Sequence, residues 1–233
     1  MNICTICARG GSKGVKNKNI RPMKGKPLIY FTVKQALDSQ LFDVVAVSSD
    51  SDEILEAARL AGAQCLIKRP EELATDTSAK LPVIQHALLK AEEFIGKQAD
   101  VLVDLDCTSP LRNILDIQNA VELLITSGAP NVITGASARR SPYFNLVEMG
   151  EDETVLLAKK TEKPIVRRQD APKCFDMNAS IYVWKREHLF DSNSTLRDGT
   201  KIYVMPEERS LDIDSELDFQ IVEFLMSQRE DLC

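Results

Sequence analysis

Residues 1–29 read MNICTICARGGSKGVKNKNIRPMKGKPLI, and the stretch that decides the fold is RGGSKGVKNKN, residues 9–19. It directly follows the first apolar run, residues 3–7, and places three glycines, four basic residues and no acid in eleven positions. The pattern is that of a short strand emptying into a glycine-rich cationic loop. At the carboxyl edge of an open parallel sheet such a loop binds phosphate, because glycine lets backbone N–H groups come close to the oxygens. Two familiar fingerprints are absent. G-x-x-x-x-G-K-[ST] needs a Lys-Ser/Thr pair after its second glycine, and G-x-G-x-x-G needs a spacing other than Gly10-Gly11-Ser12-Lys13-Gly14. What remains is a triphosphate cradle with Arg9, Lys13 and Lys18 as its cations, or, more plainly, a solvated lysine-rich surface loop.

Outward from the loop, β-rich runs at 44–48, 64–67, 101–105 and 132–134 alternate with amphipathic stretches at 28–37, 52–61, 81–94 and 114–125. This alternation predicts an α/β fold, a mainly parallel sheet with helices on both faces. The helix predicted at 52–61 is preceded by Ser-Asp-Ser-Asp-Glu, hydroxyls and acids where a helix N-terminus wants them. After residue 136 prolines, alternating apolar residues and turn-like clusters replace the helical period, which predicts a β-rich insertion at about 137–179. A strand at 180–184 and a helix at 215–227 follow, so residues 1–233 read as one domain with an arm.

Composition narrows the function. A chain of 233 residues with 44% hydrophobic content can bury a full core without disulfides or metal clips. With 29 basic and 35 acidic residues the net charge is -6, which argues against wholesale binding of nucleic acid or an anionic membrane. No apolar run reaches the ~18 residues of a membrane span, and the N-terminus lacks a signal-peptide pattern, so the expected compartment is the cytoplasm. Six cysteines, at 4, 7, 65, 107, 174 and 233, are scattered and read as reduced thiols. Cys4 and Cys7 lie three apart in a predicted strand, on opposite faces, and cannot chelate one metal together.

ARGGSKGVKNKN, followed by a Gly-Lys-Pro-Leu helix start, resembles the nucleotide loop of the CMP-sialic acid synthetases, the acylneuraminate cytidylyltransferases. VSSDSDEI, KRPEELATDT, CTSPLR and LDIDSELD agree with that family in order, so the resemblance covers essentially the whole chain. It implies a Rossmann-like nucleotidyltransferase sandwich that dimerises through a β-rich arm. It also implies transfer of CMP from CTP to the anomeric hydroxyl of a nine-carbon 2-keto sugar acid, with release of pyrophosphate. By the same resemblance Arg9, Gly10, Gly11, Ser12, Lys13, Lys18 and Asn19 contact CTP, with Arg9 and Lys18 catalytic and Lys18 stabilising the transition state. Arg69 and the Thr75-Asp76-Thr77 turn match the segment that closes over the nucleotide; the plainer reading of Arg69 is an ion pair with Glu71 or Glu72.

Asp212 and Asp214 are alternate residues on an extended segment, so both carboxylates face one side and can share a hard cation such as Mg²⁺. The plainer reading is a strand end and a helix cap, and in the family this pair holds magnesium. A metal there lowers the pKa of the attacking hydroxyl without a histidine base, and His86 and His188 fall outside every matched motif. Arg112, just past a strand end, is expected to order its loop rather than touch substrate.

The chain departs from the sialate pattern at two places. Leu-Gln-Pro-Thr-Ser-Pro-Leu-Arg becomes Leu105-Asp106-Cys107-Thr108-Ser109-Pro110-Leu111-Arg112, and Phe-Arg-Pro-Asn-Gly becomes Phe175-Asp176-Met177-Asn178-Ala179. These changes resemble the branch that activates legionaminic acid, the bacterial 5,7-diamino relative of sialic acid used in surface glycans and flagellin. In that branch the sugar-pocket candidates are Asp106, Arg140, Tyr143, Asn145, Arg168, Gln169, Asp176 and Asn178, with arm packing the alternative for Tyr143 and Asn145. Rival readings are an N-acetylneuraminate enzyme, an enzyme for the eight-carbon acid of lipopolysaccharide, and a non-catalytic CTP-binding module.

Overall fold

The computed structural model describes residues 1–163, 165–191 and 193–229. In chain order its elements begin with β1 (Asn2–Cys7), the two-residue strands β2 (Pro22–Met23) and β3 (Lys26–Pro27), α1 (Leu28–Asp38), β4 (Val44–Ser49), α2 (Asp52–Ala61), β5 (Cys65–Lys68) and α3 (Lys80–Ile95). Next come β6 (Val101–Leu105), α4 (Ile114–Ser127), β7 (Asn131–Ser137), β8 (Val147–Met149) and β9 (Val155–Leu157). The chain then forms β10 (Phe175–Lys185), the single turn α5 (Arg186–Leu189), β11 (Lys201–Val204) and α6 (Glu216–Ser227).

Seven strands form one sheet in the order β11-β7-β10-β6-β1-β4-β5. β6, β1, β4 and β5 pair in parallel, as do β7 and β11, while β10 runs antiparallel to both β6 and β7. The mainly parallel sheet expected from the alternation is present. It is buried on both faces, which is why its central strands read as unbroken apolar runs. Leu28 of α1, Ile54 of α2, Ile117 of α4 and Phe219 of α6 lie in one buried cluster, and Leu81, Ile84 and Leu88 of α3 lie in the other. Helices thus cover both faces. Cys4 belongs to the first cluster and Cys7 packs against the second, so the pair is divided by the sheet. Burial pushes both thiols well up. Cys65, Cys107 and Cys174 are free as well, and Cys233 lies outside the described residues.

Helix starts follow the local chemistry. Ser51 caps α2 by accepting from the Ile54 N–H, with Asp52 and Glu53 in the first turn. α4 and α6 open on reciprocal capping boxes, Asn113 with Asp116 and Ser215 with Asp218. Among the described residues no helix is long and apolar enough to cross a membrane.

The segment predicted as β-rich, 137–179, holds less strand than expected. Among its described residues it has the short β8–β9 hairpin and the first residues of β10, with a 3₁₀ turn at Arg168–Asp170 between them. Prolines and short apolar pairs there alternate without enough length to extend a ladder. Leu146, Val147, Met149, Val155 and Leu156 of this arm are exposed. An isolated two-stranded hairpin is marginal in water, so the arm as described is short of a covering surface.

Arg112 ties the sheet to the loop after β6. It is fully buried, and its guanidinium donates to the carbonyls of Asp106 at 2.7 Å, Ser109 at 3.0 Å and Ser180 at 3.1 Å, and to Thr32 Oγ1 at 2.8 Å. Arg112→Met would strand these acceptors. We expect a loss of ~3 kcal/mol, read as a fall in melting temperature of roughly 6–12 °C; a variant melting like the wild type would show that the network carries no stability.

Candidate active site

β1 delivers the glycine loop to the carboxyl edge of the sheet, where the Ala8 N–H donates to the Ser48 carbonyl at 3.0 Å. The loop then turns back on braces of its own. The Gly10 N–H donates to Asp50 Oδ1 at 2.9 Å, from the turn between β4 and α2. Asn19, expected to contact CTP, is nearly buried, and its amide donates to the Arg9 carbonyl at 2.9 Å. It shapes the loop from beneath. Gly11 faces open space, whereas a Cβ at Gly14 would sit 1.8 Å from the Asp214 carbonyl oxygen. Only glycine allows that approach.

Through Gly14 the loop rests on the segment that carries the two candidate metal ligands. Ile213 is fully buried, which turns Asp212 and Asp214 on either side of it away from the core. The Ile213 N–H donates to the Thr108 carbonyl at 3.1 Å, and the Lys18 ammonium donates to the Ile213 carbonyl and stands 3.8 Å from Asp214 Oδ1. Asp214 is exposed, and Asp212 is partly covered, with Ser109 Oγ 3.4 Å from its Oδ1. Burial and then the charges of Asp106 and Asp214 raise the Asp212 pKa above the usual carboxylate value. One cation, Lys18, thus stands beside two acids.

The other two cations of the loop are held by an acid. Arg9 Nη1 lies 2.6 Å from Asp76 Oδ1, and Lys13 Nζ lies 2.7 Å from Asp76 Oδ2. The hydrogen bonds from Lys13 and then Arg9 hold Asp76 below its ordinary pKa. A carboxylate so placed occupies two of the loop's cations. Hydroxyls order the same turn: Thr75 Oγ1 lies 3.2 Å from Thr77 Oγ1 and 2.8 Å from Ser78 Oγ. Arg69 is buried and donates to the Ser48 carbonyl at 2.7 Å and to Ser48 Oγ at 3.2 Å. It is therefore turned inward, not outward to Glu71 or Glu72. Arg9, Arg69, Thr75 and Asp76 line a cavity of about 270 Å³ together with Lys80 and Asp106.

The residues expected at the sugar do not converge on one cavity of the chain. Asp106 lines the nucleotide-side cavity, whereas Arg140, Arg168 and Gln169 line a second cavity of about 750 Å³ in the arm. Asn145 Oδ1 accepts from the Ser141 N–H at 2.9 Å, and Tyr143 packs beneath Lys159, its ring centre 5.6 Å from the ammonium. Both of these contacts lie inside the arm. Asp176 Oδ2 accepts from the Arg139 N–H at 3.3 Å. Asn178 is buried, its Oδ1 taken by Thr134 Oγ1 at 2.7 Å and by the Ser180 N–H at 3.2 Å, so it fixes the irregularity in β10.

A glycine loop with three cations, two acids beside Lys18 and a cavity at the carboxyl edge of the sheet suit a nucleoside triphosphate. The family model for cytidylyltransferases matches residues 3–221. This chain belongs to the cytidylyltransferase family. It is 49% identical over 225 residues to a protein of Campylobacter jejuni named CMP-N,N'-diacetyllegionaminic acid synthase, covering 97% of this chain and 94% of that one. It is 46% identical over 227 residues to the post-translational flagellin modification protein B of Campylobacter coli, covering 97% and 95%. The solved CMP:2-keto-3-deoxy-manno-octonic acid synthetase in complex with CTP shares the fold, with a TM-score of 0.68 at 16% identity over 97% of this chain and 98% of that one.

In this cytidylyltransferase the pairing of Arg9 and Lys13 with Asp76 has a consequence for CTP. If the loop receives the triphosphate, the phosphate oxygens and the Asp76 carboxylate compete for the same two cations. Asp76→Asn is expected to tighten CTP binding several-fold in calorimetry at low salt, where surface charges are least screened. Weaker binding would mean that Asp76 supports the nucleotide instead of competing with it.

Proposed function

We propose that this cytidylyltransferase joins CMP from CTP to the anomeric hydroxyl of a nonulosonic acid, releasing pyrophosphate, and that it prefers a legionaminic-type acid to N-acetylneuraminate. The observation that carries the reading is the seating of the glycine loop on residues 212–214, which brings Lys18 to the two acids. The sugar preference rests on Asp106 and Asp176, which stand where the sialate pattern has glutamine and arginine, and on the likeness to the synthase named for N,N'-diacetyllegionaminic acid.

The acid pair suits magnesium. Its donors are hard oxygens, both turned from the core, and they carry negative charge beyond what Lys18 balances. Among the described residues no group of three or more His, Cys, Asp or Glu converges as a closed metal cage. Two carboxylates with the rest of the shell left to phosphate oxygens and water is how magnesium is usually held. Asp212 and Asp214 would hold it. When bound, the ion supplies charge neutralisation on the triphosphate and lowers the pKa of a coordinated hydroxyl.

The chain's own groups do the remainder. Arg9 and Lys13, once released from Asp76, grip the triphosphate, and the Gly11 backbone lets its oxygens come close. Lys18 is held by the Ile213 carbonyl at the acid pair and stabilises negative charge that grows during transfer. No histidine is needed. Among the described residues lining the cavity there is none, and His188 is engaged with Asp191 at 3.0 Å.

A homodimer in the cytoplasm completes the reading. The exposed apolar side chains of the arm would be covered by a second copy. The same packing would bring the arm cavity with Arg140 and Arg168 to a neighbouring site, which accounts for the division of the sugar residues.

Pyrophosphate release with CTP, Mg²⁺ and a panel of sugar acids tests the reaction. kcat/KM is expected to be higher for the legionaminic-type acid than for N-acetylneuraminate, and equal or reversed values would overturn the preference. Asp212→Asn and Asp214→Asn should each lower kcat roughly 100-fold or more while melting close to the wild type. Early melting with normal turnover in the cold would instead make these carboxylates a strand end and a cap.

A further inference from the structure

The cavity contains a cation that the reaction as proposed does not use. Lys80 opens α3, and its ammonium lies 2.7 Å from Asp106 Oδ2 and 3.6 Å from Asp104 Oδ2, with the Tyr182 ring centre 4.5 Å away. Asp104 is almost fully buried and is bonded by Thr5 Oγ1 at 2.8 Å. Asp106 Oδ1 accepts from the Thr108 N–H at 3.1 Å and from Thr108 Oγ1 at 2.9 Å. Burial works against both charges of the Lys80–Asp106 pair, but mutual attraction outweighs it, so the ammonium is raised and the carboxylate lowered in pKa. The pair stays ionised.

Withdrawing an ion pair from water brings little net stability, and keeping one at a cavity wall calls for another use. The two side chains are not sealed: Lys80 remains 29% and Asp106 23% exposed, and both line the cavity with Arg9, Arg69 and Thr75. Lys80 has three N–H donors, one of which Asp106 takes. Asp106 keeps lone-pair capacity beside that bond. The pair therefore shows the cavity a donor and an acceptor side by side, with no net charge of its own.

We propose that Lys80, together with Asp106, is a specificity-determining unit that reads a neutral amide-type edge, one N–H donor beside one carbonyl or ring-nitrogen acceptor, on a substrate of this enzyme. The inference rests on the reaction proposed above and names the chemistry read at its site. Two substrates carry such an edge: the second acylamino group of the legionaminic-type acid, which N-acetylneuraminate lacks, and the cytosine ring of CTP. A carboxylate or phosphate does not match, because it offers acceptors only and leaves Asp106 without a donor. A site that bonds both halves of an amide discriminates against an analogue that offers a hydroxyl or a reversed edge, since a buried group is then left unpaired.

The test uses the full chain with Lys80→Met and Lys80→Arg and reads two ratios. One is CTP over UTP affinity by calorimetry without sugar acid; the other is kcat/KM for the diacylamino legionaminic acid over that for N-acetylneuraminate. Lys80→Met is expected to lower one ratio at least ~10-fold, with Lys80→Arg restoring part of it. A fall in the nucleotide ratio assigns the edge to cytosine, and a fall in the sugar ratio at unchanged CTP affinity assigns it to the acylamino group. If both ratios stay within about twofold while rates or melting drop uniformly, Lys80 is only structural and the proposal fails. Should Lys80→Met not fold, Asp106→Asn, which keeps the shape, must move the same ratio; if it moves neither, the proposal fails. A wild-type enzyme inactive with every nonulosonic acid would overturn the reaction, and the nucleotide ratio alone would then decide for or against Lys80.

Discussion

The carbonyl oxygen of Asp214 lies 1.8 Å from where a Cβ on Gly14 would be, and the arrangement of the site follows from that backbone contact. It seats the glycine loop on residues 212–214, so that Lys18 reaches the Ile213 carbonyl and stands beside Asp214. From there the contacts run inward without a gap. The Ile213 N–H bonds the Thr108 carbonyl, Thr108 bonds Asp106, Asp106 pairs with Lys80, and Arg112 fixes the Asp106 and Ser109 carbonyls to β10 and α1. Loop, acid segment and sheet edge form one continuous hydrogen-bonded surface.

Charge is distributed by the same logic. A protein of net charge -6 gives the cations of this edge acid partners: Asp76 for Arg9 and Lys13, Asp214 for Lys18, Asp106 for Lys80. The positive charge of the cradle is therefore largely offset by its own acids. On the proposed reading, triphosphate binding is an exchange of partners, with phosphate oxygens replacing a carboxylate, rather than simple attraction to free positive charge. Such exchange keeps an acidic surface from collecting other polyanions.

Much of the fold was legible because local pattern and tertiary burial agree. Strands buried on both faces read as apolar runs, and helices with one buried face read at helical period. The direction of Asp212 and Asp214 was legible for a similar reason, since alternation across a buried Ile213 needs no distant partner. Lys80 was not legible: at the head of an amphipathic helix it looks like a solvated lysine, and only the fold brings Asp104 and Asp106 to it. The bond from the Asn19 amide to the Arg9 carbonyl was not legible either, because its place in the loop says nothing of the carbonyl that it braces. The weak strand content of the arm was not legible because its short apolar runs look like strands, yet Leu146, Val147, Met149, Val155 and Leu156 remain exposed, and Arg140 and Arg168 line a cavity apart from Asp106.

If the loop and the acid segment are one nucleotide–metal site, magnesium and CTP must bind with mutual support. Calorimetric titration of CTP with and without Mg²⁺, in the wild type and in Asp212→Asn, reads this without turnover. The expected result is CTP binding strengthened by Mg²⁺ in the wild type, with most of that gain lost in the variant. An equal gain in both proteins would contradict the single site and leave Asp212 outside it.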